Sequence, residues 1–376
     1  MRVGILLPGF SSDETDWAIP VQLNLVRVLA QEEDVRVLAL RYPHRRDHYQ
    51  VYGAQVYALG AGQTRGAGRI RLWLNALRTL QTLHRQKPFD VLHAMWADET
   101  GLVAAWAGRW LGIPVVVSVA GGELVGFDDL VYGLQRSRFS RWIVGQALKG
   151  ADRIIVACSY VEKLITTAGY SIPSERIRTA VLGVDPVHFQ PPPAPSSEFP
   201  LRLIHVASLV GVKDQATLLG AVARIPHPVT LDLVGSGPEV SRLRQLVSTL
   251  NLTSQVCFRG SVTHPDLPAL YQQAALNILT SRHEGLGMVT LEAAACGVPT
   301  VSTAVGLLPD HPSLGVSVPV GDASALAAAI THLLDDPVLR HEYARTARQT
   351  VLNQFTIAHT VRDFRAIYAE LISDSG

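Results

Sequence analysis

The chain has 376 residues, 48% of them hydrophobic and 17% charged, with a formal net charge of +1. That length points to two domains with sizeable cores, and the near-neutral balance excludes a nucleic-acid partner held by bulk charge. Residues 1–190 carry 21 Lys/Arg against 17 Asp/Glu and residues 191–376 carry 12 against 15, so a polyanion or an anionic membrane surface would meet the first half. Cys158, Cys257 and Cys296 are far apart and show no disulfide or zinc spacing. The apolar run before Pro8-Gly9 is too short for a signal peptide, and no uncharged apolar stretch is long enough to span a bilayer. A cytoplasmic protein is expected.

Residues 3–7 read as a buried strand, and 9–20, G-F-S-S-D-E-T-D-W-A-I-P, as a polar loop. A helix over 21–30 and a strand over 35–40 follow. A basic and aromatic loop is expected over 41–50. The helix over 70–85 carries Leu72, Leu74, Leu77, Leu80 and Leu83. Then come a strand at 91–94, a helix at 101–111, a strand at 114–119, a helix including 142–149 and a strand at 153–157. Nearly unbroken apolar strands alternating with helices imply a parallel sheet covered on both faces. Residues 191–200 hold five prolines and read as a linker. The pattern then restarts, with strands at 203–208, 229–234, 256–259, 276–280, 300–302 and 316–320. Helices are expected at 214–223, 239–249, 288–295 and 323–334, and two more within 338–373. The predicted architecture is α/β, with two Rossmann-like domains over 1–190 and 191–355. Their parallel sheets face each other across a cleft, and a last helix over about 356–376 packs back on the first domain.

A nicotinamide site needs G-x-G-x-x-G after the first strand. Only Pro8-Gly9 stands there, and in the later Gly235-Ser236-Gly237-Pro238 a proline occupies the turn. A dehydrogenase is therefore set aside. In 206–215, V-A-S-L-V-G-V-K-D-Q, a strand ends near Ser208 and Lys213 stands at a helix N-terminus. Such a helix end with a lysine is a natural anion site; a solvated surface lysine is the plain alternative. A second helix N-terminus, at Gly287-Met288, is expected to face the same cleft, and the two together would hold a diphosphate without metal. In 280–302, T-S-R-H-E-G-L-G-M-V-T-L-E-A-A-A-C-G-V-P-T-V-S, a strand, a loop, a helix and a strand follow one another, and Gly297 and Pro299 stop the helix. Glu284 falls on the loop and Glu292 about one turn inside the helix. Two carboxylates suit a hydroxylated ligand. The amides of Gly285, Leu286 and Gly287 donate at close range, and Glu292 can accept from both hydroxyls of a ribose.

These residues resemble the E-x(7)-E signature of retaining glycosyltransferases of family 4, which have the GT-B fold. V-L-G-V-D-P-V-H-F (181–189), Ser208-Leu209 with Lys213, L-V-G-S-G-P-E (233–239), F-R-G-S-V (258–262) and V-G-D-A-S-A-L-A-A-A-I (320–330) resemble family segments in the same order. The likeness covers nearly the whole chain and is closer over 181–337 than over 1–130. It implies retaining, metal-independent transfer of a hexosyl unit to a glycan, lipid or small-molecule acceptor. A UDP- or GDP-linked sugar would be the co-substrate, with no other cofactor. By position, Glu284 would meet donor-sugar hydroxyls beside the amides of Gly285, Leu286, Gly287 and Met288, and Glu292 would meet the ribose. Lys213 and Ser208 would meet the diphosphate. Gly260 and Val262 would meet the base, and Gly235 completes the donor set.

Two places depart from the family. Ser208 replaces its usual arginine, and Ala120 replaces a frequent histidine in the loop after 114–119. His93, ending a neighbouring strand, is the candidate catalytic substitute; a hydrogen-bonded core histidine is the alternative. Gly9, Asp16, Gly121, Gly122 and Glu123 are the acceptor-side candidates, although Asp13, Glu14 and Asp16 equally suit a solvated loop with an N-cap. The basic segments 41–49 and 65–85, interleaved with Tyr42, Tyr49 and Trp73, suit peripheral docking on an anionic inner membrane face, as the resemblance implies, or a solvated helix face. A non-catalytic sugar-nucleotide-binding protein and an epimerase of the same fold are the alternatives to a transferase.

Overall fold

The computed structural model describes residues 1–17, 19–193 and 201–374, so most of the expected linker over 191–200 lies outside the described residues. The chain divides into two compact units. The first begins with β1 (Arg2–Gly9), α1 (Pro20–Leu29), β2 (Asp34–Tyr42), β3 (Asp47–Val51), β4 (Ala54–Ala58), α2 (Ala67–Gln86), β5 (Val91–Ala94) and α3 (Glu99–Leu111). It continues with β6 (Val115–Ser118), α4 (Arg138–Gly150), β7 (Arg153–Val156), α5 (Ser159–Thr167) and β8 (Ile177–Thr179). The sheet order is β3-β4-β2-β1-β5-β6-β7-β8, and every pairing is parallel except β3 with β4. Central strands such as β5 and β6 are buried at every residue because helices cover both faces. The β3–β4 hairpin replaces the loop expected over 41–50. Asp47, His48, Gln50 and Gln55 interrupt its apolar pattern, and it is held by cross-strand pairing, with the His48 and Tyr57 rings stacked at 4.4 Å.

The second unit holds β9 (Leu201–Val206), α6 (Gln215–Val222), β10 (Val229–Val234), α7 (Val240–Thr249), β11 (Val256–Gly260), α8 (Leu267–Tyr271) and β12 (Leu276–Leu279). It ends with α9 (Met288–Ala295), β13 (Thr300–Thr303), β14 (Gly315–Val318), α10 (Ala323–Asp335) and α11 (Pro337–Gln354). Its sheet is wholly parallel in the order β11-β10-β9-β12-β13-β14. The winding direction reverses between β9 and β12. The loops leaving those strands diverge to opposite faces and open a crevice at the carboxyl edge.

The boundary falls at residue 182, eight residues before the expected one. Phe189 is fully buried against His188, His264 and Tyr271, which draws the preceding segment into the second unit. Gly183 passes so near Thr356 that a Cβ there would stand 2.4 Å from its carbonyl carbon, and the Val184 amide donates to Phe355 O at 2.9 Å. The last helix, α12 (Ile357–Asp374), belongs to the first unit. Ile357, Val361, Phe364, Ile367, Tyr368 and Leu371 recur at helical spacing and enter the first core. Glu370 bridges Arg153 at 2.8 Å and Arg178 at 2.5 Å at the end of that face.

Because Phe364 is 1% exposed, Phe364→Ala should lower the stability of the first unit by about 3–5 kcal/mol. Urea unfolding measures this, and a loss below about 1 kcal/mol would show that α12 does not share the core.

Candidate active site

The crevice at the β9/β12 reversal collects the main candidates. Lys213 ends a single 3-10 turn after β9, and Glu284 lies on the loop after β12. Lys213 Nζ donates to Glu284 Oε1, and Ser281 Oγ donates to the same oxygen at 2.6 Å. Further bonds lock the two loops together. Thr280 Oγ1 donates to Lys213 O at 2.9 Å, and the Arg282 amide donates to Val212 O at 2.8 Å. Thr303 Oγ1, at the end of β13, donates to Ser281 O at 2.7 Å. Gly306 is required where it stands: with φ +70, a Cβ there would meet Leu286 O at 2.8 Å and Glu284 Cβ at 3.0 Å. The loop ends at Gly287, which opens α9 in the left-handed conformation and places no side chain over the first helical amides. That leaves a helix end suited to an anion.

The other expected anion site differs. The helix after Lys213 is capped by Asp214, whose carboxylate accepts from the Thr217 amide at 3.3 Å and from Thr217 Oγ1 at 2.7 Å. A negative charge already occupies that helix end, so the positive group on this loop is the Lys213 ammonium itself. One of its three donors is engaged with Glu284, which leaves two for a ligand.

Glu292 is 5% exposed on α9. Its Oε2 accepts from the Tyr271 hydroxyl at 3.0 Å, and its Oε1 lies 3.3 Å from His264 Nε2. A carboxylate has about four acceptor positions, so two contacts still leave room for two ligand hydroxyls. Burial, reinforced by this carboxylate, pushes the Tyr271 hydroxyl well above its ordinary range. Burial and the same neighbour push the Cys296 thiol up to about 12. Sequence reading missed His264, Tyr271 and Ser281. His264 and Tyr271 lie just beyond the F-R-G-S-V segment, in the mixed stretch T-H-P-D-L-P-A-L-Y-Q-Q, where nothing in the sequence singles them out.

The remaining donor-side candidates share this edge. Ser208 is exposed after β9, and its carbonyl accepts from Gln215 Nε2 at 3.1 Å. The Gly235 amide donates to Gly260 O at 2.8 Å, and Ser261 Oγ donates to Ser236 Oγ at 2.8 Å, which pins the loops after β10 and β11 side by side. Gly260 is exposed, and Val262, Gly285, Leu286 and Met288 are half-buried.

The Glycosyl transferases group 1 family model matches residues 190–350, and the Glycosyl transferase 4-like domain model matches residues 20–183. The D-inositol 3-phosphate glycosyltransferase of Salinispora arenicola is 38% identical over 322 residues, 77% of this chain and 70% of that one. The chain belongs to the family 4 glycosyltransferases. Sucrose-phosphate synthase from Thermosynechococcus elongatus matches in structure with a TM-score of 0.81 at 21% identity, covering 99% of each chain. HepE from Anabaena, solved in complex with UDP, matches at 0.75 and 20% identity over 99% of this chain and 100% of that one. The fold is therefore GT-B, and the activity class is glycosyl transfer from nucleotide sugars.

In the first unit of this glycosyltransferase, His93 corrects the sequence expectation. Its ring is fully buried, with Nδ1 2.6 Å from the Tyr368 hydroxyl and Nε2 2.8 Å from Ser118 Oγ, and it packs on Phe364. Both nitrogens are engaged inside the core, so neither can exchange a proton with a substrate. Glu123 is 3% exposed, and its Oε1 accepts from the amides of Ala97 and Ala120, each at 3.1 Å. It ties the loops after β5 and β6 together, and Gly121 and Gly122 lead into it. Asp16 accepts from the Ser12 amide at 2.7 Å and the Tyr42 hydroxyl at 2.8 Å, bracing the loop after Gly9, while Ile19 takes the N-cap of α1. Within 41–49, Arg41 and Tyr42 are engaged inside this unit and Tyr49 is half-buried, whereas Arg45 and Arg46 are exposed.

Burial lowers the His93 pKa to about 3. Below about pH 6.5 the unfolded chain takes a proton that the folded ring refuses. The stability from this site is thus complete above about 6.5 and falls by about 1.4 kcal/mol per pH unit as pH drops toward 3. His93→Gln should flatten the pH dependence of first-unit unfolding between about pH 6 and 4. An unchanged slope would show that the folded ring does take up the proton.

Proposed function

We propose that this chain is a hexosyltransferase that acts with retention of configuration and without metal. It takes a nucleotide-diphosphate sugar, UDP- or GDP-linked, and transfers the sugar to a hydroxylated glycan, lipid or small-molecule acceptor. The observation that carries this is the convergence of Lys213, Glu284 and the open N-terminus of α9 at the strand-order reversal, with a second carboxylate, Glu292, on the same helix. In this reading Glu292 accepts from the ribose hydroxyls and Glu284 accepts from hydroxyls of the donor sugar. Lys213 and the first amides of α9 stabilise the diphosphate as the bond from C1 to its oxygen breaks and charge builds on that oxygen. The acceptor hydroxyl attacks C1 from the side the diphosphate leaves, and its proton passes to the departing diphosphate oxygen. This balance uses no protein nucleophile and no histidine base, consistent with the burial of His93. Ser208 adds a neutral donor where a charged one would bind about twice as strongly, so phosphate binding leans on Lys213 and the helix end.

Exposed aromatic residues support the membrane part of this reading. Trp106, Trp110, Phe139 and Trp142 are exposed on α3 and α4, beside exposed Ile70 and Leu74 on α2. The Trp73 ring lies 5.8 Å from Trp106 and 6.4 Å from Phe139, and Phe139 lies 6.0 Å from Trp142, so these four rings form one cluster. Exposed Arg71, Arg109, Arg138 and Arg141 lie on the same helices. Aromatic rings mixed with arginines suit the headgroup level of an anionic bilayer. Among the described residues no helix is long and apolar enough to cross one, and the reading is a peripheral protein on the cytoplasmic face.

Thermal melting with a panel of nucleotide sugars should identify the donor by the largest upward shift. Glu292→Ala should abolish that shift. Glu284→Gln should keep much of it and lower turnover by about 100-fold or more. Nucleotide release that is absent from the wild type with every donor and acceptor would favour a non-catalytic binding protein. For the surface, co-sedimentation should favour anionic over zwitterionic vesicles, and replacing Trp110 and Trp142 by Ser should reduce it. Equal sedimentation of wild type and variant would remove the membrane from the proposal.

A further inference from the structure

A cavity of about 310 Å³ at the carboxyl edge of the first sheet is lined by Arg41, Arg65, Arg69, Asp98, Glu99 and Ser140, among others. It lies wholly within the first unit, where β2 ends and α2 and α3 begin. Glu99, 8% exposed, is its only carboxylate paired with arginine: Arg41 Nη2 donates to Oε2 at 2.5 Å, and Arg69 Nε pairs with Oε1. Asp98 is consumed locally as the N-cap of α3, accepting from the Thr100 amide at 2.8 Å and Thr100 Oγ1 at 2.7 Å, and burial raises its pKa. Arg65 is exposed at the rim and has no side-chain partner among the described residues.

Three guanidinium groups thus face two carboxylates. A structural ion pair accounts for Arg41 and Arg69 on Glu99, but not for Arg65. Two further features favour negative charge. The 20-residue helix α2 has Gly66 at its N-cap and no side-chain cap, beside Thr64 and Arg65 on the cavity wall. Arg69 is held by its Nε contact to Glu99 and by the Phe139 ring 5.4 Å from its guanidinium carbon, which leaves its terminal nitrogens as donors. A pre-positioned planar donor with a second arginine beside it matches the paired oxygens of a carboxylate or phosphate. Glu99 orients Arg41 through the hydrogen bond to Oε2 and holds Arg69 by charge alone at Oε1.

We infer that this cavity binds the oxyanion group, phosphate or carboxylate, of an acceptor that also carries the reacting hydroxyl. Assigning the anion to the acceptor rests on the transferase reading above; the anion site itself does not. The cavity volume fits one anionic group and a few attached atoms, so the acceptor meets this site by a small charged end.

Calorimetric titration of the whole chain tests it with two pairs of probes, glycerol 3-phosphate against glycerol and lactate against methyl lactate. At least one anion should bind about 10-fold or more tightly than its neutral partner, and Arg65→Gln should remove about 10-fold of that affinity. Arg65→Lys should restore part of it, because it returns the charge without the planar fork. Preference in the first pair alone assigns a phosphate, and in the second alone a carboxylate. Arg65-dependent binding of phosphatidic acid vesicles, without binding of soluble glycerol 3-phosphate, assigns a lipid phosphate. Equal affinity within both pairs and no vesicle binding, or an Arg65→Gln variant that binds like the wild type, overturns the inference. The melting shift caused by nucleotide sugar is followed in parallel. If anions bind and no nucleotide sugar shifts the melt, the site stands and the transferase reading falls. If nucleotide sugars shift the melt and neither anion is preferred, the reverse holds.

Discussion

The strand-order reversal between β9 and β12 is the constraint on which the candidate site depends. Elsewhere in the second sheet each loop returns over the face beside its neighbour. At the reversal two loops part, and backbone ends are left facing an open crevice. Lys213 comes from one of those loops and Glu284 from the other. The bonds that cross the gap, from Thr280 to Lys213 and from Arg282 to Val212, fix the two charges relative to each other before any ligand arrives. Preorganisation of this kind lets a charged group act on developing charge without first reorienting.

A second feature follows from burial. A carboxylate as enclosed as Glu292 is stable only with partners, and Tyr271 and His264 supply them. His264 and Tyr271 also pack against Phe189, in the segment that enters the second unit just after its boundary. The same small cluster therefore seats the chain crossing and holds the Glu292 carboxylate in place. Gly183 and Thr356, at the two chain crossings, lie against each other on this unit, so both crossings are held at one place.

The first unit uses its polar residues differently. His93 and Glu123 are internal struts, one joining β5 and β6 to α12 and the other joining two loops. Both His93 nitrogens are spent on cohesion, whereas Glu123 keeps Oε2 buried without a hydrogen-bond partner among the described residues. The residues with unspent donors lie instead around Glu99 and on the outer aromatic face, where arginines outnumber carboxylates or sit among exposed rings.

Much of this was legible in the residues themselves. Apolar runs of four to six residues gave the central strands, and Gly297 with Pro299 marked the end of α9, which spans Met288–Ala295 as expected. Local physics is enough there, because such runs must be buried and such residues cannot continue a helix. The spacing of Glu284 and Glu292 was likewise sufficient to place one on a loop and one on a helix. What only the tertiary structure decided was which polar groups remain available. His93 ends a strand at the ligand-binding edge in sequence terms, yet a helix 275 residues later supplies Tyr368 and closes it off. The lysine at a helix start turned out to face a carboxylate 71 residues away, because Asp214 had already capped that helix. Arg41, Arg69 and Glu99 likewise meet from separate elements. Secondary structure is set by neighbours along the chain, whereas the charge and exposure of a side chain are set by whatever the fold packs beside it.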